Sequence, residues 1–108
     1  MFYINERQNF NFNQTGLPCI IWIGLTTPSH GPRIKVSNSY NKMLKDDNFT
    51  ITIPGKKIVG NNKLSNRDLE KIFTFIDLNK ELLIDYNLKR IDIHKLYNNL
   101  IKYDDIKL

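Results

Sequence analysis

The run "SHGPRIKV", Ser29 to Val36, gathers groups able to hold an anion. His30 offers an imidazole, Arg33 a planar fork of donors and Lys35 a compact point charge. Gly31 lets a ligand come close to the backbone, and the N–H groups at Ser29 and Gly31 could face it. On a strand, Arg33, Lys35 and Ser37 share one face, and the two cations start about 7 Å apart along it. That interval suits two oxygens of one phosphate, or two neighbouring phosphates. The expected ligand-binding set is therefore His30, Gly31, Arg33, Lys35 and Ser37. The competing expectation is a pair of solvated cations that guard an edge strand against aggregation.

Other reactive groups are few. His30 and His94 are the only histidines. Together they could act as an acid–base pair on RNA, with Arg33 or Lys35 stabilising phosphate charge, as in a small metal-independent ribonuclease. Nothing in the sequence brings them together, and His94 falls opposite the apolar stripe of its helix. Binding without catalysis is the favoured expectation. Asp46-Asp47 and Asp104-Asp105 are adjacent pairs that point apart, with no histidine at a ligand spacing, so neither a metal nor another cofactor is expected. Cys19, the only cysteine, rules out an intrachain disulfide and a cysteine-based zinc site. It lies in an apolar run with nothing beside it to lower its pKa, so it reads as a small buried hydrophobe in a reducing compartment.

The elements that must position these groups follow from periodicity. Phe2, Ile4, Phe10 and Phe12 alternate, which suggests one or two short strands in an arm over 1–16. "PCIIWIGL" (Pro18–Leu25) is apolar on both faces and reads as a central buried strand. "RIKVS" (Arg33–Ser37) and "FTITI" (Phe49–Ile53) alternate, with Ile34, Val36, Phe49, Ile51 and Ile53 inward. Pro54-Gly55 fits a type II turn in which Gly55 takes the positive φ, and "KKIVG" returns as its hairpin partner. Ser65, with Asp68 three residues on, caps a helix running to about 87. Leu69, Ile72, Phe73, Ile76, Leu83 and Tyr86 form its apolar stripe. Asn79 falls on that stripe, so it must find hydrogen bonds, most simply to a loop or a sheet edge. Asp92 caps a second helix carrying Ile93, Leu96, Tyr97, Leu100 and Ile101.

These elements predict an α+β fold: a small antiparallel sheet of about four to five strands, followed by two C-terminal helices packed on one face. The chain has 108 residues, 41% hydrophobic and 25% charged, which predicts one domain over 1–108. The arm, the sheet (17–60) and the helical half (64–102) follow in order. A net charge of +5 makes nucleic acid the obvious partner, although no helix-turn-helix, zinc-finger or RNA-binding signature is present. Lys56, Lys57 and Lys63 surround the hairpin, and Lys89 and Arg90 lie between the helices. The chain lacks alanine and is rich in Asn, Ile and Lys, which points to an AT-rich genome such as that of a bacteriophage or a low-GC bacterium. The N-terminus lacks a basic region before an apolar core, and Leu17–Leu25 is too short to span a bilayer. A cytoplasmic location is expected, in the host cytoplasm for a phage protein, with no membrane partner.

The segment "SHGPRIKVSN" (Ser29–Asn38), followed by a helix containing "FIDLNKELLIDY" (Phe75–Tyr86), resembles a pattern in short bacterial and phage proteins of unassigned function. The likeness covers residues 26–100 and implies that the His-Gly-Pro-Arg-Ile-Lys unit is common to the group. It carries no activity, and the Asn/Phe-rich arm lies outside it. The functional expectation is a non-catalytic binding protein for a phosphate-bearing ligand, either a small nucleotide or a nucleic-acid backbone. In a phage setting it would inhibit host defence by sequestering a nucleotide signal. The alternatives are a protein–protein inhibitor without a small ligand, acting on a host defence protein, and a ribonuclease using His30. A homo-oligomer is expected, with the aromatic arm adding a strand across a dimer.

Overall fold

Apolar side chains at every second position build one buried sheet face, and a 22-residue amphipathic helix covers it. The computed structural model describes residues 9–26, 29, 31–39, 42–44, 46–53 and 55–103. Among the described residues five strands run in chain order: β1 (Asn9–Phe10), β2 (Ile21–Trp22), β3 (Arg33–Ser37), β4 (Asn48–Thr52) and β5 (Ile58–Val59). Each pairs antiparallel with the next, so the sheet is a meander with β3 at its centre. Phe10, Ile21, Val36 and Phe49 lie side by side across four strands, and all four are buried. The alternate row, Asn9–Trp22–Lys35–Thr50–Val59, projects the other way. The fold is α+β.

Helix α2 (Asn66–Asn87) starts where the Ser65 hydroxyl accepts the Asp68 N–H at 3.2 Å. It buries Leu69, Ile72, Phe75, Ile76, Leu83 and Tyr86 in one cluster with the sheet residues. Phe75, not Phe73, is the fully buried ring. Phe73 lies at the margin of the stripe, with the Lys56 ammonium 6.0 Å from its centroid. Helix α3 (Ile93–Asn99) is capped by Asp92, whose carboxylate accepts the Lys95 N–H at 2.9 Å, and it buries Leu96. No helix among the described residues is long and apolar enough to cross a membrane.

Local hydrogen bonding overrides periodicity in several places. Among the described residues of the arm, β1 turns directly into a four-residue helix, α1 (Phe12–Thr15), so Phe12 leaves the alternation and is 58% exposed. Gln14 accepts the Asn11 N–H at 3.0 Å, and Gly16, at φ +74°, closes the turn through its N–H to the Phe12 carbonyl. The long apolar run forms an interior strand paired on both sides, but the paired positions are limited to Ile21 and Trp22. In the β4–β5 hairpin Lys56, not Gly55, takes the left-handed conformation, at φ +55°. Its ammonium is tethered to Asp77 at 2.8 Å, a contact glycine could not make; Pro54 lies outside the described residues.

Asn79 accounts for the early end of α3. Its side chain donates to the Ile101 carbonyl at 2.9 Å and accepts the Ile101 N–H at 2.8 Å, as a paired strand would. It also donates to the Phe75 carbonyl. The buried amide is satisfied, and Leu100 and Ile101 are drawn off the helix into extended backbone along α2.

Helix α2 ends in a Schellman arrangement. The Arg90 N–H reaches the Asp85 carbonyl and the Lys89 N–H reaches that of Tyr86. The left-handed position is Lys89, at φ +65°, where an L-residue is strained and glycine is not. Lys89→Gly is expected to stabilise the protein by about 0.5–1 kcal/mol, read as a higher urea midpoint at unchanged m-value.

Candidate anion-binding site

Arg33 and Lys35 leave β3 on the face opposite Ile34 and Val36, which are fully buried. β3 has a hydrogen-bonded neighbour on each side. The two cations therefore guard no exposed edge, and that account of them fails. On the β4 side, Thr50 stands opposite Lys35 and Thr52 opposite Arg33.

Trp22 is the other cross-strand neighbour of Lys35. Its indole lies down along its own strand over Gly24. A Cβ at residue 24 would come within 2.2 Å of the ring, so only glycine fits beneath it. The Lys35 ammonium sits 5.8 Å from the ring centroid, a cation–π contact of about 0.5–1 kcal/mol at an exposed site. The indole N–H is buried without a partner among the described residues, which costs about 1–3 kcal/mol. The ring thus serves as a strut that fixes where the Lys35 charge sits.

The turn leading into β3 is set by Gly31 and Asn87. Gly31 has φ +76°, and a Cβ there would meet nothing within 4 Å, so its backbone angle, not space, requires glycine. Asn87, the last residue of α2, is completely buried. Its Nδ2 donates to the Gly24 carbonyl at 2.6 Å and its Oδ1 accepts the Arg33 N–H at 3.0 Å. Its main-chain carbonyl accepts the Thr26 N–H at 2.8 Å. One residue thus ties both ends of the β2–β3 connection to the helix. The Arg33 side chain makes a longer contact, Nε to the Gly31 carbonyl at 3.4 Å.

Of the expected set, Arg33 and Lys35 come together on one face, and Gly31 adjoins Arg33. Ser37 does not join them. It is fully buried, and its hydroxyl accepts the Ser39 N–H while donating into the Ser39 and Lys42 carbonyls. The polar connection after β3 folds back over Ser37 and occupies its hydrogen-bonding capacity. His30 lies outside the described residues. His94 is exposed on α3. Trp22, Gly24 and Asn87 were not expected. The same-face spacing of Trp22 and Gly24 was the available signal for the indole, whereas nothing near Asn87 in sequence marks its partners.

Three cations elsewhere on the surface are paired with carboxylates. Lys56 pairs with Asp77 at 2.8 Å, Lys63 with Asp47 at 3.0 Å and Arg90 with Asp85 at 3.2 Å. Hydrogen bonds from Lys63 and then Asn38 hold the Asp47 carboxyl below its usual range. Among the described residues no group of His, Cys, Asp and Glu could hold a metal ion. Burial, reinforced by the nearby Asp68 charge, pushes the Cys19 thiol up to about 12, so it is no nucleophile.

Two outcomes follow from this geometry. Asn87→Ala strands the Gly24 carbonyl and the Arg33 N–H and is expected to destabilise the protein by about 2–4 kcal/mol in urea unfolding. Asn87→Asp keeps the acceptor for Arg33 but sets a carboxylate against the Gly24 carbonyl, so it should not rescue. For Cys19, the thiol is neutral in both states below its ordinary value of 9.0. Above that the unfolded chain loses the proton first. The native protein should therefore lose stability relative to Cys19→Ala as pH rises from 9.0 towards about 12, by up to about 1.4 kcal/mol per pH unit.

Comparison with known proteins adds no relative to this geometry: no family model, curated protein or solved structure matches the chain.

Proposed function

We propose that the outer face of the sheet binds a phosphate-bearing ligand without catalysis, and that this ligand is the backbone of a single-stranded nucleic acid. The supporting observation is the pair Arg33 and Lys35, directed outward from the central strand with Lys35 held over Trp22. Consecutive phosphates meet consecutive cations on such a face, and the flanking threonines add hydroxyls without steric bulk. Arg33 supplies a two-pronged contact and Lys35 a point charge. In the phage setting that the composition suggests, the protein works in the host cytoplasm and inhibits defence by occupying or sequestering a nucleic-acid or nucleotide signal.

Fluorescence anisotropy with a labelled, unstructured oligonucleotide at several salt concentrations tests this. Each phosphate contact on a single strand contributes about −0.7 to the slope of log K against log salt. Arg33→Ala and Lys35→Ala should each weaken binding and each remove about that much of the slope. Their backbone bonds are untouched, so the fold is expected to survive. Lys95→Ala, an exposed change on α3, should alter neither quantity. Equal affinity and slope in the Arg33→Ala/Lys35→Ala double variant would sink the proposal.

A further inference from the structure

We propose that a second site, in a cavity formed without any strand residue, binds a small anionic ligand that carries a flat ring, of the nucleoside monophosphate class. The cavity, open to solvent on one side, holds about 580 Å³ between α1, the segment after it, the N-terminal half of α2 and Tyr103. That lies within the range of roughly 300–1,000 Å³ typical of small-molecule sites. Its walls offer two aromatic rings, Phe12 and Tyr103, and three charged groups, Arg67, Glu70 and Lys71.

The charges are the first argument. Arg67 and Lys71 are one turn apart on α2, so they lie on one face with about 5–6 Å between their Cβ atoms. The ion pairs among the described residues engage Lys56, Lys63 and Arg90, and none engages Arg67, Glu70 or Lys71. Two cations and one carboxylate thus border the same space with positive charge in excess. A bare polyanion would meet repulsion at Glu70. A ligand with a phosphate at one end and hydroxyl or amino donors at the other satisfies all three.

The rings are the second argument. Phe12 is 58% exposed, a poor place for a phenyl ring unless something covers it. It is held there: Gln14 and Gly16 fix α1, and the Thr15 hydroxyl donates to Asn11 while accepting the Leu17 N–H. Tyr103 packs against the core from the other end of the described chain. A base stacks on such rings while its phosphate reaches the Arg67–Lys71 face.

This site shares no residue with the sheet face, so the two proposals fail separately. Calorimetric titration and thermal shift with adenosine and guanosine monophosphate test it, with inorganic phosphate and free nucleosides as partial probes. At least one monophosphate should raise Tm and bind roughly tenfold or more tighter than phosphate or its own nucleoside, because both halves of the site are needed. Arg67→Ala and Lys71→Gln should each weaken binding by roughly tenfold, and Phe12→Ala should remove the preference for nucleotide over phosphate. Arg67 and Phe12 are exposed, so those variants should unfold like the native chain. The Arg33→Ala/Lys35→Ala double variant should bind the monophosphate normally. No response to any monophosphate at millimolar concentration would overturn the proposal. So would a response that phosphate alone reproduces, or one lost in the sheet-face variant but kept in Arg67→Ala.

Discussion

One buried amide holds the two halves of the molecule in register. β2 and β3 share only two paired positions, Ile21 with Val36 and Trp22 with Lys35. Beyond Trp22 the strands part, and their backbone groups would be left without partners in a buried place. Asn87 reaches into that gap from the end of α2 and supplies both a donor and an acceptor. On the other side of β3, the Ile53 N–H extends the β3–β4 pairing by reaching the Pro32 carbonyl. The phase of β3 is thereby fixed. A slip of one residue would turn Arg33 and Lys35 into the core and put Ile34 and Val36 into water. The direction of the cationic pair thus depends on a residue more than fifty positions away, through a side chain that touches neither cation's charged group.

The parts of the fold that could be read in the sequence were those whose signals are local and periodic. Ile34, Val36, Phe49, Ile51 and Ile53 are inward as their alternation required, and Ser65 and Asp92 cap the helices they were expected to cap. In each case the signal lies within a few positions of the residue it places. The misread parts depend on distant partners or on competition between good local options. Ser37 has the alternation of an outward residue, yet a returning loop claims its hydroxyl. Leu100 and Ile101 suit a helix, yet Asn79 offers their backbone two bonds. Lys56 takes a backbone angle that Gly55 could adopt more easily, because Asp77 awaits its ammonium. Of the candidate site, Arg33 and Lys35 were legible from strand spacing alone. Their strut, Trp22, was hidden in a run of uniformly apolar residues.

The net charge gave the least reliable guide to place. Lysines around the hairpin and the helix junction are prominent in sequence, but Lys56, Lys63 and Arg90 each face a carboxylate within 3.2 Å. Exposed pairs of this kind contribute little stability, about 0–1 kcal/mol each. Their larger effect is on the field around the molecule, because a paired cation looks nearly neutral from beyond a Debye length of about 10 Å. Asn38 extends one such pair into a network: its Nδ2 donates to Asp47 and to the Asn61 carbonyl, and its Oδ1 accepts the Lys63 N–H. That network neutralises charge and fastens the β5–α2 connection to the sheet in the same stroke.

The two surfaces proposed to bind anions differ in how they are made, and that difference suits different ligands. Lys35 is paired to strands on both sides, and Arg33 to β4 on one side and the Asn87 side chain on the other, so their spacing is held at the strand interval. A polymer with regularly placed charges can exploit such a row, and small molecules gain little from it because nothing encloses them. The cavity beside α2 has the opposite character. Its rings come from a single helical turn and from the segment after α3, while its charges come from the long helix. Its concave shape favours a compact ligand, and walls drawn from separate parts of the chain make occupancy stabilising, since whatever fills the space ties those parts together. An open row along a strand and a concave composite pocket are thus complementary solutions to holding phosphate on one small domain.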